Sequence, residues 1–198
     1  MKKTRLFIAF PITTSVSSVI KKIEYSISEK FKDLDSNSFR FIPISNLHIT
    51  LTFLGCQEEI FLPLISDAVE KTSKLFEPPE IIFDKIDYDS AFLNGKSNNV
   101  RMLWLHINKD SSKEISEIKN TMDSFLESSG ISFQKEERLF SGHITLLRFG
   151  EKIDREKLPQ IDKSVQLSYF PETINIMESE LLKSGAKYNS LQEFNFID

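Results

Sequence analysis

The chain has 198 residues, of which 40% are hydrophobic and 27% are charged, and these proportions are ordinary for a globular domain. Its 25 Lys and Arg against 29 Asp and Glu give a formal charge of −4, which argues against a broad nucleic-acid-binding surface and leaves room only for a local basic patch. No run is long enough to cross a bilayer, and the apolar stretch at 5–12 is too short for a secretory signal. A single cysteine, Cys56, indicates a reducing compartment, so we expect a cytoplasmic protein.

Helix-like and strand-like segments alternate along the first half of the chain. Apolar residues spaced by threes and fours predict a helix after Pro11, and residues 58–75 predict a second helix. Strands are predicted at residues 5–10, 39–42, 81–88 and 100–107. Residues 94–99 predict a polar turn, and the continuous apolar run of the strand that follows it indicates burial on both faces.

The second half repeats this order. A capping box formed by Ser111 and Glu114 predicts the start of a third helix, which Gly130 ends. Residues 134–138 predict a charged loop that could carry substrate contacts, although we favour a solvated loop. Further strands are predicted at residues 165–170, 173–181 and 191–196. The order indicates an α+β fold that is a bilobal pseudo-two-fold duplication, in which two antiparallel sheets face a central cleft with helices outside.

One segment of the sequence occurs twice. The copies at residues 48–55 and 143–150 are HITLTFLG and HITLLRFG, and two of the three histidines of the chain begin them. Alternate side chains of a β-strand share a face, so each copy presents its histidine and threonine on one face and two aliphatic residues on the other. We expect the aliphatic face to build a core and the polar face to line the cleft. The four cleft-facing residues are His48, Thr50, His143 and Thr145.

These residue types suit a reaction at a phosphodiester. Histidine titrates near neutral pH, so one imidazole can act as a base while the other, protonated, acts as an acid. The two threonines can donate hydrogen bonds to an anion between the rings, and Arg148 can add a fixed positive charge. We expect no metal, because Cys56 is the only cysteine and no other histidine stands near either copy at ligand spacing.

Each of these residues also has a structural interpretation. A single H-x-T on an apolar strand is usually incidental, and the repeat could be an inherited structural duplication; two matched copies favour function. His106, in the apolar sequence WLHI, is interpreted as structural. Strict alternation from His143 places Arg148 on the core face, so a phosphate-binding Arg148 requires a bulge after Leu146.

A nucleotide base in the cleft would need an aromatic stacking partner. Phe10, at the end of the first strand, and Phe140, just before the second motif, are the candidates. Core packing is the alternative for both, because the chain contains 17 phenylalanines.

At these residues the sequence resembles the two-histidine (2H) phosphoesterases, and within them the bacterial and archaeal RNA 2′,3′-cyclic phosphodiesterases, also called 2′-5′ RNA ligases. The likeness covers nearly the whole chain and rests on the two motifs together with RLFIAF at 5–10, RMLWL at 101–105, Phe140, Glu178-Ser179 and GAKY at 185–188. The family usually has proline before the second histidine, where this chain has Gly142. We expect more freedom in that approach and an intact site.

The resemblance implies one 2H phosphoesterase domain over 1–198, with lobes that contribute the motifs at 47–55 and 142–150. It implies hydrolysis of an RNA terminal 2′,3′-cyclic phosphate to a 2′-phosphomonoester without cofactor, and reversible 2′-5′ ligation by the same chemistry. Following the family, His48 would be the proton donor and His143 the proton acceptor, with Thr50 and Thr145 holding the non-bridging oxygens. Members of the family commonly carry arginine at the offset of Arg148, which favours a phosphate-binding role for this residue.

The implied partner is an RNA 3′ end or a nucleotide that carries the cyclic phosphate, and nothing in the sequence demands more than a monomer. Two other functions stay open. The substrate could be a 2′-5′ oligonucleotide or a small cyclic nucleotide phosphate. Alternatively, the protein could bind RNA ends without catalysis, although intact His and Thr at all four positions argue against that.

Overall fold

The computed structural model describes residues 2–89, 99–136, 139–161, 164–182 and 185–197. Its nine described strands are β1 (Lys3–Pro11), β2 (Phe39–Phe41), β3 (His48–Glu58), β4 (Ile81–Tyr88), β5 (Asn99–Ile107), β6 (His143–Asp154), β7 (Ser164–Tyr169), β8 (Thr173–Leu182) and β9 (Gly185–Asn195). The described helices are α1 (Thr14–Lys30), α2 (Leu62–Ser73) and α3 (Lys109–Ser128). Short 3-10 turns occupy Ile44–Asn46, Glu59–Phe61 and Arg155–Lys157.

The strands form two antiparallel sheets, as the sequence predicted. One sheet has four strands in the order β3-β1-β8-β9, and the other has five in the order β2-β6-β5-β4-β7. The first motif strand, β3, pairs with β1, the strand just before α1. The second motif strand, β6, pairs with β5, the strand just before α3. The units β1–α1–β3 and β5–α3–β6 therefore repeat one arrangement, and the α+β duplication is confirmed.

The helix of each repeat packs against the sheet of the other. Phe31, at the end of α1, lies 6.1 Å from Phe149 of β6, measured between ring centroids. Asp123 of α3 accepts a 2.6 Å hydrogen bond from the hydroxyl of Thr52 in β3. Because each helix packs against the sheet of the other repeat, the buried side chains of both sheets and all three helices form one continuous cluster.

Two predicted boundaries were wrong for local reasons. The helix predicted from residue 58 begins only at Leu62, because Glu58 stays extended and pairs with Lys3 of β1. The third helix begins at Lys109, where the side chain of Asn108 accepts from the backbone N–H of Ser111. The Ser111 hydroxyl instead bonds the backbone of β4 and the residue before it, so it does not form the predicted capping box.

The last strand was predicted at 191–196, but β9 begins six residues earlier, at Gly185, where it pairs with the end of β8. The other boundaries agree with the sequence patterns to within a few residues. Gly130, predicted to end the third helix, has a φ of 77°, a left-handed conformation that glycine adopts readily. Of the predicted polar turn at 94–99, only Asn99 lies within the described residues, and it begins β5. Residues 134–136 of the predicted loop have no regular structure, and residues 137 and 138 lie outside the described part of the chain.

Candidate active site

A cleft of about 840 Å³ opens between the two sheets. Its lining comes from both motif strands and includes His48, Thr50, His143 and Thr145. All four side chains are half-buried, whereas their neighbours Ile49, Leu51, Ile144 and Leu146 are buried in the core. The alternation predicted for the repeated motif is therefore the one observed.

The two motif strands contain matched β-bulges. In β3, Ala9 pairs with Thr50 and Ile8 with Thr52, so Leu51 has no partner in β1. In β6, the same displacement leaves Leu146 without a partner in β5. Each bulge falls at the leucine of HITL, and it reverses the parity of the residues that follow.

The bulge at Leu146 resolves the position of Arg148. Strict alternation would bury Arg148, but the extra residue turns the side chain outward, and Arg148 is exposed and lines the cleft. A guanidinium Nη2 lies 3.8 Å from the sulfur of Met102 on the neighbouring strand. The bulge that a cleft-facing Arg148 required is present.

The equivalent bulge in β3 turns Phe53 into the cleft, and the sequence reasoning did not identify this residue. Phe53 follows His48 by five positions, as Arg148 follows His143. Its ring lines the cleft and is 62% exposed, which is unusual for a phenylalanine in a strand. Aligning HITLTF with HITLLR pairs Phe53 with Arg148, but only the bulges show that both residues face the cleft. The two lobes thus offer an aromatic ring and a guanidinium at matching positions.

His48 is held by contacts on several sides. Its Nδ1 lies 2.7 Å from the carbonyl oxygen of Asn46, and because a carbonyl only accepts, Nδ1 carries the hydrogen and Nε2 is left as the acceptor of a neutral ring. Phe7 and Tyr188 pack against the imidazole, with ring centroids at 4.9 and 5.0 Å. The Asn46 side chain in turn bonds the backbone of Ala186 and Tyr188, which ties the site to β9.

His143 has an equivalent arrangement. Its Nδ1 lies 3.1 Å from the carbonyl oxygen of Ser141, again two residues before the histidine, so both rings present Nε2 as the acceptor nitrogen of their neutral form. Trp104 stacks on the imidazole, with centroids 4.1 Å apart and planes at 28°. An indole face stabilises a positive charge above it, so this stack suits a ring that gains a proton during a reaction.

Burial of the ring is the main cause that lowers the pKa of His48 to about 4; the hydrogen bond to Asn46 opposes this change and the nearby His143 adds to it. At neutral pH the His48 imidazole of the free protein is therefore uncharged. It becomes a proton donor only if a bound anion raises its pKa.

β5 was expected to be buried on both faces, and this expectation was wrong. Its side chains alternate between core and cleft, and the cleft face includes Met102 and Trp104. His106 pairs directly with His143 across the strands, with ring centroids 6.2 Å apart. His106 is half-buried, and burial lowers its pKa to about 4. The prediction failed because the cleft face of β5 carries Met102 and Trp104, which are apolar like the residues of the core face. The apolar sequence therefore does not show which face is buried.

The two aromatic candidates have different positions. Phe10 has no exposed surface and packs against Phe196 in the core, so its assignment as a stacking partner is wrong. In β1, Phe7 shares a face with Ala9, and Phe10 points to the opposite side. Phe140 lines the cleft as a half-buried side chain, so it is available to a ligand.

Gly142 was expected to give the approach to the second motif more freedom, but the space around it is filled. A Cβ at this position would lie 2.4 Å from Cδ1 of Ile107 and 3.1 Å from the ring of Phe140. The carbonyl of Gly142 also accepts from the backbone N–H of Ile107 at 3.1 Å. Position 142 therefore packs closely against β5. This explains why glycine occupies it, because any larger residue would have to displace the side chain of Ile107.

Within the described ranges, no three His, Cys, Asp or Glu side chains come together as a metal-ligand group. None of the helices in that part of the chain is long and apolar enough to cross a membrane. Around the two motifs, the described side chains offer two imidazoles, two threonine hydroxyls, the guanidinium of Arg148 and several aromatic rings.

Two antiparallel sheets that each contribute an H-x-T strand to one cleft define a protein of the two-histidine phosphoesterase class. The chain matches the model described as the AKAP7 2′5′ RNA ligase-like domain over residues 6–189, and it belongs to that family. Membership in this family indicates phosphodiesterase activity.

Among similar proteins, the RNA 2′,3′-cyclic phosphodiesterase of Methanothermobacter thermautotrophicus is 25% identical over 196 residues, which cover 97% of this chain and 98% of that protein. The protein TT0787 of Thermus thermophilus is similar in structure, with a TM-score of 0.72 and 21% identity over 97% of both chains. Escherichia coli LigT complexed with NADP+ gives a TM-score of 0.70 and 20% identity, covering 98% of this chain and 99% of that one.

Proposed function

We propose that the protein hydrolyses an RNA terminal 2′,3′-cyclic phosphate to a 2′-phosphomonoester without a metal ion, using His48 and His143 as an acid–base pair. The observation that carries the proposal is the matched construction of the two H-x-T strands, which line one cleft with the same bulge and the same carbonyl contact to Nδ1. The relative named RNA 2′,3′-cyclic phosphodiesterase and the LigT structure complexed with 3′-AMP support a nucleotide substrate.

In the proposed reaction, Nε2 of His143 removes a proton from a water molecule, whose oxygen attacks phosphorus in line with the 3′ oxygen. The bond from phosphorus to the 3′ oxygen breaks, and His48 donates its proton to that oxygen, which leaves the phosphate on the 2′ oxygen. Thr50 and Thr145 donate hydrogen bonds to the non-bridging oxygens as their charge increases. With a 5′-hydroxyl in place of water, the same chemistry forms a 2′-5′ linkage.

Substrate contacts beyond the phosphate come from both lobes. Arg148 faces the cleft from β6 and supplies positive charge towards the phosphate. Phe53, rather than Phe10, offers an exposed ring for base stacking, and Phe140 lines the cleft from the segment just before β6. A Phe53→Ala variant that raised KM more than it changed kcat would support the stacking role.

The proposal is tested with a short RNA that ends in a 2′,3′-cyclic phosphate, assayed in the presence of EDTA. We expect turnover by the wild type and a product that carries a 2′-phosphate. A 3′-phosphate product would reverse the assignment of the leaving group. No turnover of this RNA, of 2′-5′ oligonucleotides or of cyclic nucleotides would indicate a protein that only binds RNA ends.

The proton-donor role of His48 makes a separate prediction, because a neutral ring cannot donate the required proton. A dianionic phosphate beside the imidazole favours its charged form, so saturation with adenosine 2′-monophosphate should raise the pKa of His48 from about 4 by about 1 to 3 units. NMR titration of the ring nitrogens, with and without the nucleotide, measures the change.

His106 is the internal control for this titration. Its pKa is also lowered to about 4 by burial, but it is not among the residues that line the cleft. We expect its pKa to rise less than that of His48. An unchanged His48 pKa in the saturated protein would contradict the proton-donor role and would favour His48 as the base.

A further inference from the structure

Among the described residues, four with cationic side chains line the cleft: Arg5, Lys119, Lys135 and Arg148. Two of them are neutralised by carboxylates. Lys119 pairs with Asp123 at 2.5 Å, with both side chains buried, and Lys135 pairs with Glu127 at 2.9 Å. In the part of the chain that the structure describes, neither Arg5 nor Arg148 forms a salt bridge. Two guanidinium groups of the cleft are therefore available to an anion.

These two guanidinium groups lie on different lobes, and Arg5 lies far from the histidines. In β1, Pro11 pairs with His48, whereas Arg5 pairs with Cys56, six residues along the strand. At about 3.3 Å per residue, the two positions are roughly 20 Å apart. That separation is between backbone positions and the Arg5 side chain spans only part of it, so a phosphate held by Arg5 lies beyond the phosphate that reacts at His48.

The surface between Arg5 and His48 is suited to bases. Phe53, which is 62% exposed, lies between Arg5 and His48 along the sheet, and the buried ring of Phe7 packs against it, with ring centroids 6.2 Å apart. Leu181 of β8 also lines the cleft and is 73% exposed. Aromatic and apolar surface followed by an unpaired cation is the arrangement by which proteins bind single-stranded nucleic acid.

We propose that Arg5 binds an upstream phosphate of an oligoribonucleotide whose terminal cyclic phosphate lies at His48 and His143. The substrate class is then an RNA end of several nucleotides, and a mononucleotide occupies only part of the cleft. This inference rests on the proposed function, and it assigns to β1 a role in substrate length that the motif residues do not have.

The test compares a nucleoside 2′,3′-cyclic phosphate with a tetranucleotide that ends in the same cyclic phosphate. The wild type should have a higher kcat/KM for the tetranucleotide. An Arg5→Gln variant should reduce that preference by about five- to tenfold, because one charged contact with the longer substrate is lost. The slope of log kcat/KM against log salt for the tetranucleotide should become less negative by about 0.7, the value for one phosphate contact on a single strand.

Lys3→Gln is the matched control. Lys3 lies on the same strand, and its loss removes the same charge, but it pairs with Glu58 at 3.4 Å and does not line the cleft. Its variant should keep the preference and the salt slope of the wild type. An Arg5→Gln variant indistinguishable from Lys3→Gln would overturn the proposal.

Equal loss of activity on both substrates in Arg5→Gln would also overturn it, because Arg5 would then act on the reacting end. The outcome for the proposed function is separate. Turnover of either cyclic phosphate by the wild type reports on that function, whereas only the ratio between the two substrates and the salt slope report on Arg5.

Discussion

Replacing either His48 or His143 by alanine should lower kcat/KM for an RNA 2′,3′-cyclic phosphate by about 10²- to 10⁴-fold, the usual contribution of a general acid or base. Each imidazole serves a different proton transfer in one step, so loss of either leaves the other without a complementary partner. The double variant should be little worse than either single variant, because groups that act as a unit are strongly non-additive.

Substrate binding and folding are the necessary controls for the histidine variants. Thermal unfolding of each variant should stay close to that of the wild type, because both rings are only half-buried. A His106→Ala variant removes a third imidazole beside His143 without removing a cleft-lining group, and it should lose far less activity. Full activity in either His48→Ala or His143→Ala would contradict the acid–base pair.

Asp123→Ala should cost about 3 to 5 kcal/mol of the free energy of unfolding, the largest effect on stability expected of a single substitution here. Asp123 is completely buried and accepts a hydrogen bond from the hydroxyl of Thr52. It also forms an ion pair with Lys119, whose side chain is only 5% exposed. Its removal leaves a buried ammonium without a counterion. Because Thr52 follows the bulge in β3, the same change should also loosen the strand that holds His48.

The chain contains a matched control for this ion pair. Lys71 and Asp67 also stand four residues apart on a helix, at 2.7 Å, but their side chains are more than half exposed. Asp67→Ala should cost no more than about 1 kcal/mol, because water screens the pair. Urea unfolding of both variants makes the comparison. Equal costs would show that burial adds nothing to the Lys119–Asp123 pair.

The position of each aromatic and cationic neighbour depended on pairing between distant strands. The residues 5–10, RLFIAF, are largely apolar on both faces, so their pattern does not say whether Phe7 or Phe10 faces the cleft. Phe53 and Arg148 reach the cleft only because a bulge shifts their parity. A bulge is a property of a strand and its partner together, and it cannot be derived from the periodicity of one strand.

The sequence by itself determined the α+β duplication, the two motif strands, and the cleft-facing positions of His48, Thr50, His143 and Thr145. It could do so because strand alternation is local and because the repeat supplied the comparison between halves. Only the tertiary structure placed Phe53, Trp104 and Arg5 in the cleft, buried Phe10, and joined each helix to the opposite sheet. Those features depend on which distant segments pack together, and sequence periodicity carries no information about distant contacts.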